Sequence, residues 1–436
     1  MNGNELLEKL GRLSEITCMK DVKPLTDALF PGAHCPLMGS AMTVRGIEDA
    51  MIVVIGTDEC SYYTKHMTLH SEEFGGVFGR CVSVVLDSRD VTFGSKKKIE
   101  EAMKELVEEY EPKAVFLTTT CVVEIIGDDM DTIAEALTEE YHIPFLSVHT
   151  EHFKCENHMP GLERTITACF SLMESQEKEN TVNVLGQRMG SFQTTELCRI
   201  LKENQVEIGM QLPSGCTIEE IKTAPKAKLN VVVHPIALPL ARKMEQKFGT
   251  PYVFFHKFTR PENIYEAYEK LFACLEIPMT EELIRLYEKA KDRREEAKEE
   301  LSGITYIYGN TPFDTMEFNQ FMTEEGMEPL VIQLSEYDPK RQEEMVQTIT
   351  KKVNPYVAKS ANIAPMQFIY DVLKPNLYLG HEYAARLRKK GIEIVHTDKA
   401  SGLLGFEVTF FIIEELVRAS KEAKELRKEK GEEEKK

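Results

Sequence analysis

The sequence predicts an α/β protein built from three doubly wound, Rossmann-like parallel-sheet domains. Two observations carry this reading. From Ala50 onward, short β-branched or apolar runs alternate with charged amphipathic helices, the pattern of parallel strands covered on both faces. The alternation then restarts twice, at Val182 and at Gly303. A chain of 436 residues is also too long for one core and long enough for two or three.

Residues 1–34 form an N-terminal arm, with a helix expected from Asn4 to about Leu13 and a lone Cys18 of the kind usually buried as a bystander. The first α/β domain, 35–178, takes its strands from Met51–Ile55, Val82–Leu86, Ala114–Thr118 and Ile143–Val148. Its helices are expected at Lys97–Tyr110 and Asp131–Glu140. The second, 179–302, has strands at Val182–Gly186, Val206–Gly209, Leu229–Val233 and Tyr252–Phe255. Helices follow at Ser191–Asn204 and Ala237–Phe248, the latter stopped by Gly249 with Pro251 beyond it. A long helix, Thr280–Leu301, presents a solvated charged face. The third domain, 303–419, has strands at Gly303–Asn310, Leu330–Gln333, Leu377–Leu379 and Glu393–Val395, and a last helix from Glu407 to about Ala419. The charged tail 420–436 reads as a frayed helix passing into disorder.

The net charge of −19 argues against nucleic acid, which needs a basic footprint. No apolar run reaches the roughly 18–20 residues that span a membrane. The opening Met-Asn-Gly-Asn-Glu has no basic n-region, so no signal peptide is expected. The expected compartment is the cytoplasm, where ten cysteines are thiols or metal ligands and not disulfides.

Three of those cysteines stand where a strand gives way to a loop: Cys35 in His34-Cys-Pro-Leu-Met-Gly39, Cys60 in Gly56-Thr-Asp-Glu-Cys-Ser-Tyr-Tyr63 and Cys121 in Thr118-Thr-Thr-Cys-Val-Val-Glu124. Their wide spacing does not suit a zinc ribbon, whose ligands come in close pairs. It does suit a site gathered from several loops at the carboxyl edge of one sheet, where open α/β folds place ligands. Soft thiolates so placed favour an iron–sulfur cluster. Unrelated bystander thiols are the plainer alternative.

These frames resemble the component-1 proteins of nitrogenase and its relatives. That family includes the nitrogenase α and β subunits, the iron–molybdenum cofactor assembly scaffold, the dark-operative protochlorophyllide and chlorophyllide reductases and the nickel-sirohydrochlorin reductive cyclase. The matching motifs are Cys35-Pro-Leu-Met-Gly39, Gly56-x3-Cys60-x-Tyr-Tyr63 and Thr119-Thr-Cys-x2-Glu124-x2-Gly127-Asp-Asp129, and the resemblance covers roughly residues 24–418. It implies three α/β domains around a central cavity. It also implies pairing with a homologous subunit, as a homodimer or an α2β2-type heterotetramer. The cysteine trio would hold a [4Fe–4S] or a P-cluster-like [8Fe–7S] cluster at the shared interface. A separate ATP-dependent iron protein would deliver the electrons. Reduction would take place in the cavity, on a second metallocluster or a tetrapyrrole.

In nitrogenase α subunits the cavity cluster hangs from one Cys and one His. The Cys frame is matched here by Asn230-Val-Val-Val-His234, with His in place of Cys, and the His frame by His396-x5-Gly402. Both histidines are therefore candidate metal or substrate contacts. Imidazole is a competent iron ligand and also a proton donor near neutral pH. A lone strand-end His more often satisfies a backbone group. Replacement of thiolate by imidazole puts a nitrogenase-type cofactor in doubt.

Arg188, in Gly186-Gln-Arg-Met-Gly190, can offer a hydrogen bond to a cavity anion. The stretch from Phe153 to Thr165, with Cys155 and His158, reads as a loop over the cavity, and His66 and His70 as surface residues one helical turn apart. No Gly-x4-Gly-Lys-Ser/Thr motif occurs, so the chain is not expected to hydrolyse ATP.

Three functions fit these residues: a nitrogenase-like catalytic subunit, a non-catalytic scaffold for cofactor assembly, and an α/β protein with no cluster. The substrate is not legible.

Overall fold

The computed structural model describes residues 2–26, 34–69, 80–155, 157–188, 191–359 and 363–433. After a short N-terminal β1 (Gly11–Arg12), the strands β2 (Ala50–Gly56), β3 (Cys81–Val85), β4 (Ala114–Thr119) and β5 (Phe145–Val148) form a parallel sheet in the order β3-β2-β4-β5. The strands β6 (Glu179–Gln187), β7 (Glu207–Pro213), β8 (Ala227–Val232) and β9 (Tyr252–Phe254) form a second, in the order β7-β6-β8-β9. The third sheet adds β10 (Thr305–Tyr308), β11 (Glu328–Leu334), β12 (Tyr356–Lys359), β13 (Leu377–Leu379) and β14 (Glu393–Val395) to β1, in the order β1-β12-β11-β10-β13-β14. All its pairs are parallel except β1 with β12. The α/β parallel-sheet class is thus observed.

The chain divides into two compact units: 33–189 with 201–256, and 1–32 with 190–200 and 257–436. The first two sheets share one unit and one hydrophobic core, in which Ile52 and Phe116 of the first sheet join Leu185 and Val232 of the second. Every residue of β2 and β4 is buried, as continuous Val/Ile/Leu-rich runs require when both faces are covered. The helix Lys96–Tyr110 buries Ile99, Met103 and Leu106, spaced to line one face, and exposes its charges. Helices Pro36–Arg45 and Met159–Ala168 cross at two glycines. A Cβ on Gly39 would meet the His158 carbonyl oxygen at 2.1 Å, and one on Gly161 the Pro36 carbonyl oxygen at 1.8 Å.

In the other unit, the helices Pro261–Leu275 and Glu281–Leu301 join the third sheet, held by a buried Arg294. Its guanidinium bonds Glu262 at 3.0 Å and Glu324 at 2.6 Å, and also pairs with Glu325. Glu317 carries no exposed surface and accepts from the Thr259 and Arg260 amides, which fixes the chain as it enters the helix Pro261–Leu275.

Three expectations need correction. The N-terminal helix is shorter, Gly3–Glu8, because the chain turns at Leu10 to lay β1 against β12. The tail from Ser420 does not fray there: one helix runs Phe406–Glu433. Arg427 ties it to the Gly391 carbonyl at 3.2 Å and the Pro375 carbonyl at 2.5 Å, and Lys421 pairs with Glu300 at 2.6 Å. The stretch 153–165 is not a loop. It is a 3-10 turn, His152–Lys154, followed by the helix Met159–Ala168, with Pro160 in its first turn. Among the described residues no helix is long and apolar enough to cross a membrane.

Candidate metal centre

Strands β2 and β4 lie side by side in register, Val54 beside Thr118 and Ile55 beside Thr119. The residues that follow them therefore emerge at one edge. Sequence reasoning places the three cysteines on loops, whereas the structure places each at the start of a helix. Cys35 is the N-cap of Pro36–Arg45, Cys60 lies in the first turn of Asp58–Leu69, and Cys121 is the first residue of Cys121–Ile126. The start of a helix favours a thiolate electrostatically.

The structure brings the three together. All are half-buried. Cys60 feels both of the others: burial pushes its thiol up, the Thr57 hydroxyl works against this, and the charges of Cys35 and Cys121 add to the rise. Cys35 and Cys121 lie within electrostatic reach of Cys60, and thiols so grouped can hold a cationic group once deprotonated. Among the described residues no three side chains converge on a single ion. A cluster of several irons takes its cysteines on separate atoms and so wants them further apart. Thiolates are the donors that iron–sulfur clusters take, so the chemistry of the donor set fits one.

Polar groups surround the cysteines. The His152 amide donates to Cys121 Sγ at 3.3 Å, and such bonds to cluster sulfurs shift their potentials. His34 bonds the Tyr63 hydroxyl beside Cys35. Burial, then the charge of Cys35, raises the Tyr63 phenol. Glu124, one helical turn after Cys121, accepts from His149 Nδ1 at 2.8 Å and from the Thr119 hydroxyl. His149 Nε2 in turn lies 3.3 Å from Asp131. Sequence reasoning singles out Glu124 but misses His149 and Asp131. The available signal is that His149 is itself a strand-end histidine, after β5.

His234 follows β8 and is half-buried. Its Nδ1 accepts the Ile236 amide at 3.3 Å, so the proton of the neutral ring sits on Nε2. In that state the ring is a donor; ligation through Nε2 would cost this cap. The His256 ring, missed in the sequence, stands edge-on to it at 5.5 Å and is itself buried, its Nδ1 donating to the Val233 carbonyl at 3.0 Å. Gly186, at φ +101°, lets β6 pass close by, since a Cβ there would meet His234 Cβ at 2.9 Å.

Arg188 reaches Met159 Sδ at 3.8 Å. The buried Nδ1 of His158 has no hydrogen-bond partner among the described residues. Burial, then the positive charges of Arg188 and His34, push His158 down to about 4. It is a neutral ring at neutral pH. His66 stacks on Tyr62 at 5.8 Å, and His70 lies outside the described residues.

His396 follows β14 in the other compact unit. It is exposed and lines a cavity of about 220 Å³ with His381, Glu382 and Asp398. Its loop is clamped at both ends. Lys257, only 8% exposed, donates to the carbonyls of Ala400 (2.5 Å), Ser401 (2.9 Å) and Leu403 (2.8 Å). Glu196 accepts the Phe406 and Glu407 amides at 2.9 and 3.1 Å, and Glu407 accepts the Leu404 and Glu196 amides at 2.9 and 3.0 Å. The two carboxylates thus cap each other's helices. Gly405 is required between them, because a Cβ there would meet Glu196 Oε1 at 2.3 Å.

Burial raises Glu196 from 4.5 to about 7, against the Phe406 and Tyr268 bonds and with the charge of Glu407. A carboxyl raised in the folded state stabilises below its unfolded pKa and loses that contribution as pH rises through the folded one. Stability of this unit should therefore fall between pH 4.5 and about 7 and then level off. Glu196→Gln should flatten that stretch in denaturant midpoints taken across it; an unchanged slope would assign the pH dependence to another group.

Residues 35–420 match a family model described as nitrogenase component 1 type oxidoreductase. Among curated relatives, the nitrogenase iron-molybdenum cofactor biosynthesis protein NifE of Clostridium pasteurianum is 31% identical over 223 residues, 50% of this chain and 49% of that protein. The nitrogenase molybdenum-iron protein alpha chain of the same organism is 26% identical over 381 residues, 83% of this chain and 70% of that one. The matches to the NifE proteins of C. pasteurianum and Rippkaea orientalis thus take in about half of their length. A solved structure titled nitrogenase Cp1 at pH 6.5 superposes with a TM-score of 0.77 at 17% identity, over 91% of this chain and 94% of that one, a likeness of fold.

Proposed function

The chain belongs to the nitrogenase component 1 family, and on that premise we propose that it is a component 1 subunit holding an iron–sulfur cluster through Cys35, Cys60 and Cys121. The observation that supports this is that Cys60 feels the charges of both Cys35 and Cys121, while Cys60 and Cys121 follow the adjacent strands β2 and β4. The cluster, [4Fe–4S] or [8Fe–7S], supplies one-electron transfer at low potential. The chain's own residues do the rest. The three cysteines bind, the His152 amide stabilises charge on Cys121, and burial limits access of water.

Tyr62, Ile125 and Phe153 are large, exposed side chains on or beside the cysteine-bearing helices, at 67%, 72% and 55% exposure. They support a protein contact there, with a homologous subunit as a homodimer or α2β2-type heterotetramer. Electrons would come from an ATP-dependent iron protein, and a substrate or second cofactor, metallocluster or tetrapyrrole, would be reduced. His234, His396 and Arg188 are the residues assigned to that second group. His234 acts as a hydrogen donor through Nε2, His396 as a ligand or proton donor from its clamped loop, and Arg188 as an anion contact.

A second reading is a non-catalytic scaffold on which such a cofactor is assembled, and the likeness to NifE favours it. Iron and sulfide analysis with electron paramagnetic resonance on anaerobic protein tests the cluster; colourless, iron-free protein would overturn it. ATP-dependent reduction with an iron protein supports the catalytic reading, and transfer of an intact cofactor to an apo-acceptor the scaffold.

A further inference from the structure

We propose that the row Glu124–His149–Asp131 is a proton relay serving the cysteine site, so that an electron reaching that site draws one proton from solvent onto the row. The inference rests on the cluster reading above and gives a role to residues that reading leaves without one.

The row runs from the helix that carries Cys121 out to the surface. Cys121 and Glu124 lie one turn apart on the helix Cys121–Ile126, and so on the same face. The segment after β5 is tied to that helix twice: His149 Nδ1 meets Glu124 at 2.8 Å, and the His152 amide meets Cys121 Sγ at 3.3 Å. The outer nitrogen, Nε2, meets Asp131 at 3.3 Å. Side-chain exposure falls inward along the row, from 66% at Asp131 to 39% at His149 and 13% at Glu124. Asp131 lines an open groove of about 1010 Å³, through which solvent reaches the outer end of the row. The inner end is closed by the Thr119 hydroxyl, which donates to Glu124 and accepts the Thr150 amide at 3.1 Å.

A structural ion pair needs only one of these bonds. An imidazole with each nitrogen on a different carboxylate can take a proton at one and release it at the other. The charged groups around it are Glu124 on its own helix, Asp131 on the helix Met130–Tyr141, Asp129 at that helix's N-cap, and Arg164, whose guanidinium bonds the His149 carbonyl at 2.7 Å. Burial pushes His149 down, but Glu124 and Asp131 outweigh it and its pKa lies above the ordinary value. In the step itself, a low-potential one-electron donor loses an electron to the cysteine-held site. The added negative charge raises the proton affinity of His149. An N–H bond forms at Nε2 as an O–H bond of hydronium, or of a buffer acid, breaks at the exposed end of the row, and Asp131 accepts the hydrogen bond of the new N–H.

The test is a potentiometric titration of anaerobically prepared full-length protein, followed by electron paramagnetic resonance from about pH 6 to 9, across the range where histidine titrates. In the wild type the midpoint potential should fall with pH at one proton per electron, within a window above the oxidised-state pKa of His149. His149→Gln should keep its iron and lose that dependence. Asp131→Asn, which removes a carboxylate that raises His149, should move the window to lower pH. A loaded wild type with a pH-independent potential overturns the relay, as does an unaltered slope in loaded His149→Gln. If His149→Gln does not load, an unmoved window in Asp131→Asn overturns it instead. A wild type that holds no iron defeats the cluster reading first, and the relay with it.

Discussion

Cys60→Ala and Cys121→Ala should each reduce bound iron and the paramagnetic signal to near background, while Cys274→Ser leaves both unchanged. Cys60 and Cys121 emerge from adjacent central strands, and Cys60 senses both other sulfurs. Cys274 is exposed, at the end of the helix Pro261–Leu275. An all-or-none loss is expected because a cluster short of one thiolate has an iron open to water and oxidant. Alanine at Cys60 removes little core packing, since the residue is only half-buried, so the fold should persist and circular dichroism should show it. Full iron retention in both variants would remove the ligand assignment. Loss of iron in Cys274→Ser as well would mean the measurement reports protein quality and not ligation.

The second large effect is expected from Lys257→Met. The stem is kept, but three carbonyls of the segment 400–403 lose their donor. Each buried acceptor left unpaired costs about 1–3 kcal/mol, partly recovered by entering water, so a local loss of roughly 2–4 kcal/mol is expected. Two compact units make a single unfolding free energy ill-defined. Amide hydrogen exchange at Leu403 and Leu404 measures the loop directly. Protection there should drop by two to three powers of ten, while the β10 and β13 amides keep theirs. Unchanged exchange at those positions would show that the Glu196–Glu407 caps hold the loop without the lysine. Lys257→Arg keeps the charge but cannot aim three donors from one point, and should fall between the two.

Much of the scaffold is legible in the sequence, for a definite reason. Fully buried parallel strands such as β2 and β4 need unbroken β-branched runs, and Met51–Ile55 and Ala114–Thr118 cannot be read otherwise. β13 and β14 fall on their expected residues because Lys374-Pro375-Asn376 and Lys390-Gly391 mark their starts. What escapes is structure decided by distant partners. β1 has two residues and exists only because β12 offers an edge. The long final helix past Ser420 shows an ordinary solvated charge pattern, and what holds it is a buried Ala423 with bonds to Glu300, Gly391 and Pro375, which the sequence does not reveal. Cys60 and Cys121 could be set at one edge because they follow the adjacent strands β2 and β4. His149, Asp131, His158 and His256 could not, because a titratable residue reveals its partners only once the sheets are assembled.

The pairing of β1 with β12 also sets an order of events at the ribosome. Arg12 donates to the Asn354 carbonyl across 342 residues of sequence. At about 5–20 residues per second, residues near the N-terminus wait some tens of seconds before their partners are made. The unit they join is assembled from 1–32, 190–200 and 257–436, so it cannot close until the last part of the chain has emerged. The unit carrying the cysteines, 33–189 with 201–256, is complete well before then. During synthesis the unit that carries the cysteines can therefore close first, while β1 still waits for β12.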